Sequence, residues 1–351
     1  MPRGGLSEAL ISPLLDWYDG AGRDLPWRAQ PTPYRVWVSE IMLQQTRVEA
    51  VRAYFERWME ALPTIEALSE ADEAVCLKLW EGLGYYSRVR SLHKAAKIVC
   101  AQYGGALPAD YEALLGLPGI GDYTAGAIAS IAFGLPQPAV DGNVLRVAAR
   151  LTADETPITD LKYKKLIARR LSDLIPHDRP GDFNQALMEL GATVCLPNGA
   201  PACGVCPLRH LCAALEDGTA SLLPKRAPKK PRRIEERTVL LVRAGALVGL
   251  SQRPETGLLA GLWELPALAG HLTPSEVRQA LAARGWQVDN LFSLRPAKHI
   301  FTHVEWHMTG YYVELSGRPE ELQFVTPAAL RANYALPSAF RPFLSVIEEE
   351  I

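Results

Sequence analysis

From Ser7 to about Ala214, apolar residues recur at three- and four-residue intervals, the period of helices with one buried face. In Val48–Leu62 the positions Val51, Tyr54, Phe55 and Trp58 line one side of such a helix. The same spacing predicts helices over Ala71–Leu79, Ser91–Val99, Thr124–Phe133, Val144–Leu151 and Phe183–Val194. Short loops bearing Gly and Pro, such as Gly104-Gly105 and Pro136-Gln137-Pro138, separate them. After about residue 237 the period shortens. Thr238–Val242 and Ala246–Leu250 read as strands joined by a turn, Phe301–Leu315 as further strand, and Pro274–Ala283 as a helix. The pattern predicts a mostly α N-terminal domain and an α/β or α+β C-terminal domain.

Between the two, Pro224–Arg237 reads PKRAPKKPRRIEER, with seven Lys or Arg and three Pro. Such a stretch suits neither a regular helix nor a central strand and is expected to be an exposed basic linker. At 351 residues the chain is long enough for two domains with cores of their own. Hydrophobic residues at 48% and charged residues at 22% fit a soluble globular protein. Met1–Leu15 lacks the basic-then-apolar pattern of a signal peptide, and no window approaches the roughly 20 apolar residues of a membrane span. A cytoplasmic, reducing location is expected, with no membrane partner. The net charge of −2 argues mildly against a nucleic-acid binder. Contact with phosphates, however, needs only a local basic surface, which acidic residues elsewhere can mask in the total.

Three segments hold candidate chemistry. In Tyr34–Thr46 (YRVWVSEIMLQQT), Glu40 shares a helical face with Val36, Trp37, Leu43 and Gln44. A carboxylate among Trp and aliphatic side chains is partly desolvated, which raises its pKa towards a proton donor's range. A plain surface Glu is the alternative. Leu117–Gly126 (LPGIGDYTAG) is a tight two-glycine turn opening into a helix of small residues. Its backbone N–H groups suit a phosphate, although many such turns simply join helices. Ala139–Arg146 places Asp141 where a helix begins. There it is a favoured N-cap, or a carboxylate kept ionised by the same donors and ready to stabilise a cation.

Four of the six cysteines, Cys195, Cys203, Cys206 and Cys212, are separated by seven, two and five residues. In a chain without signs of secretion this spacing points to one small inorganic centre rather than to disulfides. An iron–sulfur cluster and zinc both take four thiolates.

In their order along the chain, SEIMLQQT, WEGLGYYSR, LPGIGDYTAGAI, VDGNVLRV, FNQALMELG and the cysteine set resemble helix–hairpin–helix DNA glycosylases. More closely, they look like adenine DNA glycosylases of the MutY family, over residues from about 14 to 215. The resemblance implies a helical glycosylase domain over 1–223, with an iron–sulfur loop at 195–212, the basic linker at 224–236, and a Nudix-like domain over 237–351. It implies removal of adenine mispaired with 8-oxoguanine or guanine in double-stranded DNA, by a monomer that is nucleoid-associated when bound. Glu40 would protonate the flipped base, Asp141 would stabilise the oxocarbenium-like sugar, and Tyr123 and Asn143 would orient the site. Arg23, Trp27, Arg28, Leu43 and Gln185 resemble the adenine pocket. Gln45 and Tyr85 resemble residues inserted at the lesion, and Gly119, Gly121 and Arg209 resemble phosphate contacts.

One 4Fe–4S cluster is implied at the four cysteines, whose first gap is one residue longer than the family's pattern. Phe301, Thr302 and His303 resemble the loop that recognises 8-oxoguanine, with Thr in place of Ser. Packing within a strand suffices for His299 and His307. An active Nudix hydrolase is not expected, since Gly270–Gly285 offers only Glu276 as a metal-binding carboxylate. Two other readings stay open. A bifunctional glycosylase/lyase similar to endonuclease III would need a lysine where Tyr123 stands, and a non-catalytic DNA-binding protein would not need both carboxylates.

Overall fold

The computed structural model describes residues 5–197, 199–228 and 231–348. It divides into two compact units. One comprises the residues up to Glu70 with Ser91–Pro228, the other Ala71–Arg90 with the residues after Pro228. Lys229 and Lys230 of the expected linker lie outside the described residues. Among the described residues no helix is long and apolar enough to cross a membrane.

The first unit is built from helices α1 (Ile11–Ala21), α2 (Pro33–Leu43), α3 (Val48–Ala61) and α4 (Ile65–Glu70). After α5 (Glu73–Leu79), which belongs to the second unit, come α6 (Ser87–Tyr103), of which the part from Ser91 belongs to the first unit, α7 (Tyr111–Leu115), α8 (Asp122–Phe133), α9 (Gly142–Leu151), α10 (Leu161–Ser172), α11 (Pro180–Thr193) and α12 (Ala213–Glu216). Local chemistry sets several starts. The Thr32 hydroxyl accepts from the Arg35 N–H ahead of α2, with Pro33 in its first turn, and Asp110, Asp141 and Asp160 cap α7, α9 and α10.

Helix α8 is buried along most of its length because its residues are small, and it packs against α2 and α11. At Gly126 an added Cβ would stand 2.2 Å from the Pro138 carbonyl oxygen, so only glycine lets α8 meet the segment leading into α9. That segment is also held from α11. The fully buried Asn184 accepts from the Ala139 N–H at 3.0 Å and donates to the Gln137 carbonyl and the Ser130 hydroxyl, both at 2.8 Å. Asp141 follows two residues after Ala139 and inherits this placement.

In the second unit a seven-stranded sheet runs β3-β2-β1-β6-β5, with β4 paired to β1 and β7 to β2. The strands are β1 (Arg233–Ala244), β2 (Leu247–Gln252), β3 (Trp263–Glu264), β4 (Ala267–Ala269), β5 (Val288–Ile300), β6 (Val304–Leu315) and β7 (Gln323–Val325). Among the described residues only β1 and β6 pair in parallel. Both faces of the central β1 are covered: Val239 and Leu241 join one core, with residues of α14 (Pro327–Asn333) and α15 (Arg341–Glu348), while Leu240 and Val242 join another with α13 (Pro274–Ala283). This accounts for its unbroken apolar run. Helix α13 starts at a capping box formed by Thr273 and Glu276. The Ala71–Arg90 segment is tied to this unit by Lys78 Nζ donating to the Tyr334 carbonyl at 3.1 Å and by Glu81 Oε1 accepting from the Leu336 N–H at 2.9 Å.

Two sequence expectations are corrected. Arg233–Arg237 is not linker but the first part of β1, paired in parallel with Val304–Met308; cross-strand pairing overrides the exposed, charged composition. Phe301–Leu315 is not one strand, since β5 ends at Ile300, residues 301–303 turn, and β6 begins at Val304. Strand β5 escaped the period-two signal because it slips register between Leu294 and Ala297, around Arg295-Pro296, where proline has no N–H to give a ladder. For Gly126→Ala, overpacking is expected to cost about 2 kcal/mol. Thermal denaturation of the purified protein should read this as a loss of roughly 6 °C in melting temperature.

Candidate active site

Helices α2, α8 and α11, the start of α9 and the loop after α1 enclose a cavity of about 190 Å³. Of the residues anticipated for catalysis and for the adenine pocket, Glu40, Tyr123, Asp141, Asn143, Arg23, Trp27, Arg28, Leu43 and Gln185 all line it.

Glu40 is only 6% exposed, because α2 is buried over nearly its whole length rather than along one stripe. Burial pushes its carboxyl up to about 7, against a hydrogen bond from Tyr123 that works to lower it; the nearby Asp141 charge adds to the rise. Tyr123 donates its phenol proton to Glu40 Oε2. Burial first, then the charges of Glu40 and Asp141, hold that phenol well above its ordinary value, so it remains a donor.

Asp141 Oδ1 accepts from the Val144 N–H at 2.8 Å and Oδ2 from Asn143 Nδ2 at 2.7 Å. These bonds do not suffice to hold it readily ionised, as the sequence had suggested. Burial outweighs them and raises its pKa.

Contacts behind these residues hold both the carboxylate and the pocket wall. Arg146 Nη2 donates to Asn143 Oδ1 at 2.8 Å and to the Gly191 carbonyl at 2.7 Å, while its Nε donates to the Cys195 carbonyl at 2.8 Å. Asp141 is thereby linked through side chains to the first cysteine. Across the cavity, Arg28 Nε donates to Gln185 Oε1 at 3.1 Å and Arg28 Nη2 to Glu189 Oε2 at 2.9 Å, with the guanidinium 5.5 Å from the Tyr18 ring. Arg23 pairs with the same Glu189, whose side chain is 1% exposed. Burial would raise the Glu189 carboxyl, but the Arg23 bonds and the Arg28 charge hold it below the ordinary range. Sequence reasoning missed Glu189 and Asn184. The helical period was the available signal for Glu189, since Gln185, Met188, Glu189 and Ala192 fall on one face of α11.

The four cysteines line a second, apolar cavity together with Arg150, Leu190 and Leu208. Arg150, 2% exposed, donates from Nη1 to Cys195 Sγ at 3.1 Å and to the Leu196 carbonyl at 2.9 Å, and from Nε to the Leu223 carbonyl at 2.9 Å. A buried cation whose hydrogen bonds go to sulfur and carbonyls suits an anionic centre. Burial pushes the Cys206 thiol up to about 11, with the negative charge of the other three cysteines adding to it. Thiolates there require positive metal charge. Among the described residues no three His, Cys, Asp or Glu are arranged to hold a single metal ion. The four cysteines nevertheless line one cavity beside a buried cation.

The remaining anticipated residues lie outside the cavity. Gln45 and Tyr85 are non-glycine residues with left-handed backbones, at φ 57° and 50°, and both are exposed. Such conformations persist where the surrounding structure holds them. Tyr85 Oη lies 2.9 Å from Thr302 Oγ1, within the second unit. Gly119, at φ +80° with Ser91 Cβ only 2.6 Å from a would-be Cβ, cannot be replaced freely; Gly121 has an ordinary extended backbone and open space around it. Arg209 is exposed beside Cys206, in the cysteine loop.

Thr302 and His303 are exposed at the β5–β6 turn, closed by the Phe301 N–H donating to the Val304 carbonyl at 2.8 Å. Phe301 packs edge-on against Trp306 and His299, with centroids 4.8 and 4.5 Å apart. His299 thus packs against the turn, and its pKa is lowered by burial, whereas His307 pairs with Glu305 at 2.8 Å.

Residues 38–176 match the HhH-GPD superfamily of base excision DNA repair proteins, and residues 238–346 match the NUDIX domain. The chain is 38% identical to the adenine DNA glycosylase of Mus musculus, over 89% of this chain and 72% of the mouse protein. It is also 38% identical to that of Homo sapiens, over 87% of this chain and 67% of the human protein. Among solved structures, a thermostable thymine-DNA glycosylase aligns with a TM-score of 0.53 at 28% identity, covering 60% of this chain and 96% of that one. A buried carboxylate pair in a helix–hairpin–helix unit, a cysteine loop and a NUDIX domain, with these relatives, identify the chain as a member of the adenine DNA glycosylase family.

Proposed function

We propose that this chain hydrolyses the N-glycosidic bond of adenine flipped out of duplex DNA, acting where adenine stands opposite 8-oxoguanine or guanine. The observation that carries the reading is the convergence of a buried, proton-holding Glu40 and a buried Asp141 on one cavity. With Tyr123 donating to Oε2 of Glu40, Oε1 is left to carry the acid proton. That proton passes to a ring nitrogen of adenine, N7 being the acceptor on its Hoogsteen edge. The electron pair of the C1′–N bond leaves with the base, and positive charge develops on the sugar. Asp141, costly to ionise in an empty cavity, is stabilised as a carboxylate by that charge, an interaction stronger in the transition state than in the ground state. The Glu40 carboxylate then accepts a proton from the water that attacks C1′. Tyr123 supplies a phenol and not an amine, which favours simple hydrolysis over lyase chemistry.

Cys195, Cys203, Cys206 and Cys212 would hold one 4Fe–4S cluster, which supplies a rigid anionic cross-link between the ends of their loop. Arg150 faces that charge, and Arg146 links the Cys195 backbone to Asn143 and so to Asp141. The exposed Thr302 and His303, with Phe301 seated on Trp306, form the contact proposed for 8-oxoguanine. Tyr85 and Gln45 are proposed to fill the duplex at the lesion, with Gly119, Gly121 and Arg209 on phosphates.

Glu40→Gln should slow single-turnover adenine release from an adenine:8-oxoguanine duplex by on the order of 10³-fold or more, while binding of that duplex survives. Normal release by the variant would sink the mechanism. Because Glu40 must be protonated, the rate should fall about tenfold per pH unit above about 7. Because Asp141 must be ionised, it should also fall towards acid, with a limb above the ordinary aspartate value. A rate that keeps climbing into the alkaline range would contradict the assignment of Glu40. Alanine at Phe301, Thr302 and His303 together should remove the preference for 8-oxoguanine over guanine opposite adenine; unchanged discrimination would refute the role of that turn.

A further inference from the structure

Helix α10 carries Lys162, Lys164, Lys165, Arg169 and Arg170 and no acidic residue. All five are exposed, while Tyr163, Ile167 and Leu171 face the core shared with α1, α9 and α11. At 100° per residue, Lys162, Lys165 and Arg169 lie opposite that buried stripe and form a row along the outermost face. Among the described residues none of the five cations is in an ion pair, unlike Arg23, Arg28, Arg90, Arg179 and Arg253. Among the described residues the acidic residues at the two ends form no ion pair with the row. Asp160 accepts from the Lys162 and Tyr163 N–H groups as the N-cap, and Asp173 follows the last turn without a pairing to Arg169 or Arg170.

This arrangement works against the helix itself. Lys162 with Lys165, and Lys165 with Arg169, are like charges at i,i+3 and i,i+4, where they repel. Arg169 and Arg170 sit in the last turn, where the helix dipole favours cations, but the three lysines sit in the N-terminal half, where it does not. With a net charge of −2 for the whole chain, this positive face stands against an acidic remainder. None of the five lines the active-site cavity or the cysteine cavity.

We propose that the outer face of α10 is a second DNA-phosphate surface, outside the adenine pocket, that binds undamaged duplex non-specifically. The inference rests on the reading of the chain as a DNA glycosylase and adds a surface to it. Three aligned cations spanning two helical turns match a line of backbone phosphates and require no base contact. A duplex suits the row better than an acidic peptide does, because its charge is dense, linear and always available to an enzyme that works on DNA. The exposed Leu161 and Leu166 beside the row are not needed for that contact.

The test is the triple variant Lys162→Gln, Lys165→Gln, Arg169→Gln in the full chain. Glutamine keeps length and helix propensity and removes the repulsion, so the melting temperature should stay level or rise. Binding to an undamaged duplex of about 60 base pairs, measured across a salt series, should lose up to about 2.7 from the slope of log K against log salt, about 0.9 per phosphate contact. Saturating single-turnover release of adenine from a short mispaired duplex should be unchanged. An unchanged salt slope overturns the proposal and leaves an acidic protein partner as the alternative reading of the row. A variant that loses the slope together with release at saturation also overturns it, because the row would then belong to the lesion complex. Failure of the wild-type chain to release adenine at all would instead overturn the glycosylase reading and leave the salt slope to be judged separately.

Discussion

Two carboxylates removed from water in one cavity form the constraint on which the helical unit depends. An unpaired buried charge costs several kcal/mol, so each group must either hold a proton or be given partners. The two resolve this differently. Glu40 receives one donor, the Tyr123 phenol, which does not offset its burial, and its carboxyl is pushed up to about 7. Asp141 receives two donors at a helix start, which work against the rise that burial imposes on it. In the proposed reaction the same chemical group would serve as an acid at one position and as a cation-stabilising anion at the other, through surroundings alone.

Holding these groups in place requires contacts among residues far apart in sequence. Gly126 and Asn184 bring three elements together around Pro138 and Ala139, and that junction aims Asp141. Glu189 draws Arg23 and Arg28 onto α11, fixing the wall opposite. Arg146 and Arg150 extend the same scaffold to the cysteine loop, where Arg146 donates to the Cys195 carbonyl and Arg150 to the Cys195 sulfur. Replacing Glu189 would strip Arg23 and Arg28 of their shared carboxylate, which makes the scaffold sensitive to that single change.

The second unit repeats the logic with an aromatic hub. Trp306 is fully buried, donates from Nε1 to Glu235 Oε2 at 2.9 Å, lies under the Arg237 guanidinium at 4.1 Å, and supports Phe301 at the edge of the exposed turn. Because Trp306 anchors Phe301, Thr302 and His303 stand out from a rigid base. The charged segment that composition marked as a tether supplies both Glu235 and Arg237 to this hub.

What the sequence determined by itself was local. Helical periods, the N-cap at Asp141, the two-glycine turn, the cysteine spacing and the order of motifs all depend on residues close in the chain. From these, α8, α9, α11 and α13 and the membership of the site were legible. Tertiary structure decided what depends on distant neighbours. Burial of α2 around its circumference turned a partly desolvated Glu40 into a deeply buried one, and the same burial overcame the donors to Asp141. Cross-strand pairing made Arg233–Arg237 a central strand, and a register slip hid β5. Glu189 and Asn184 gain their meaning only from partners that α11 meets across the fold. Desolvation and long-range pairing are properties of an enclosed space, and no stretch of sequence contains that space.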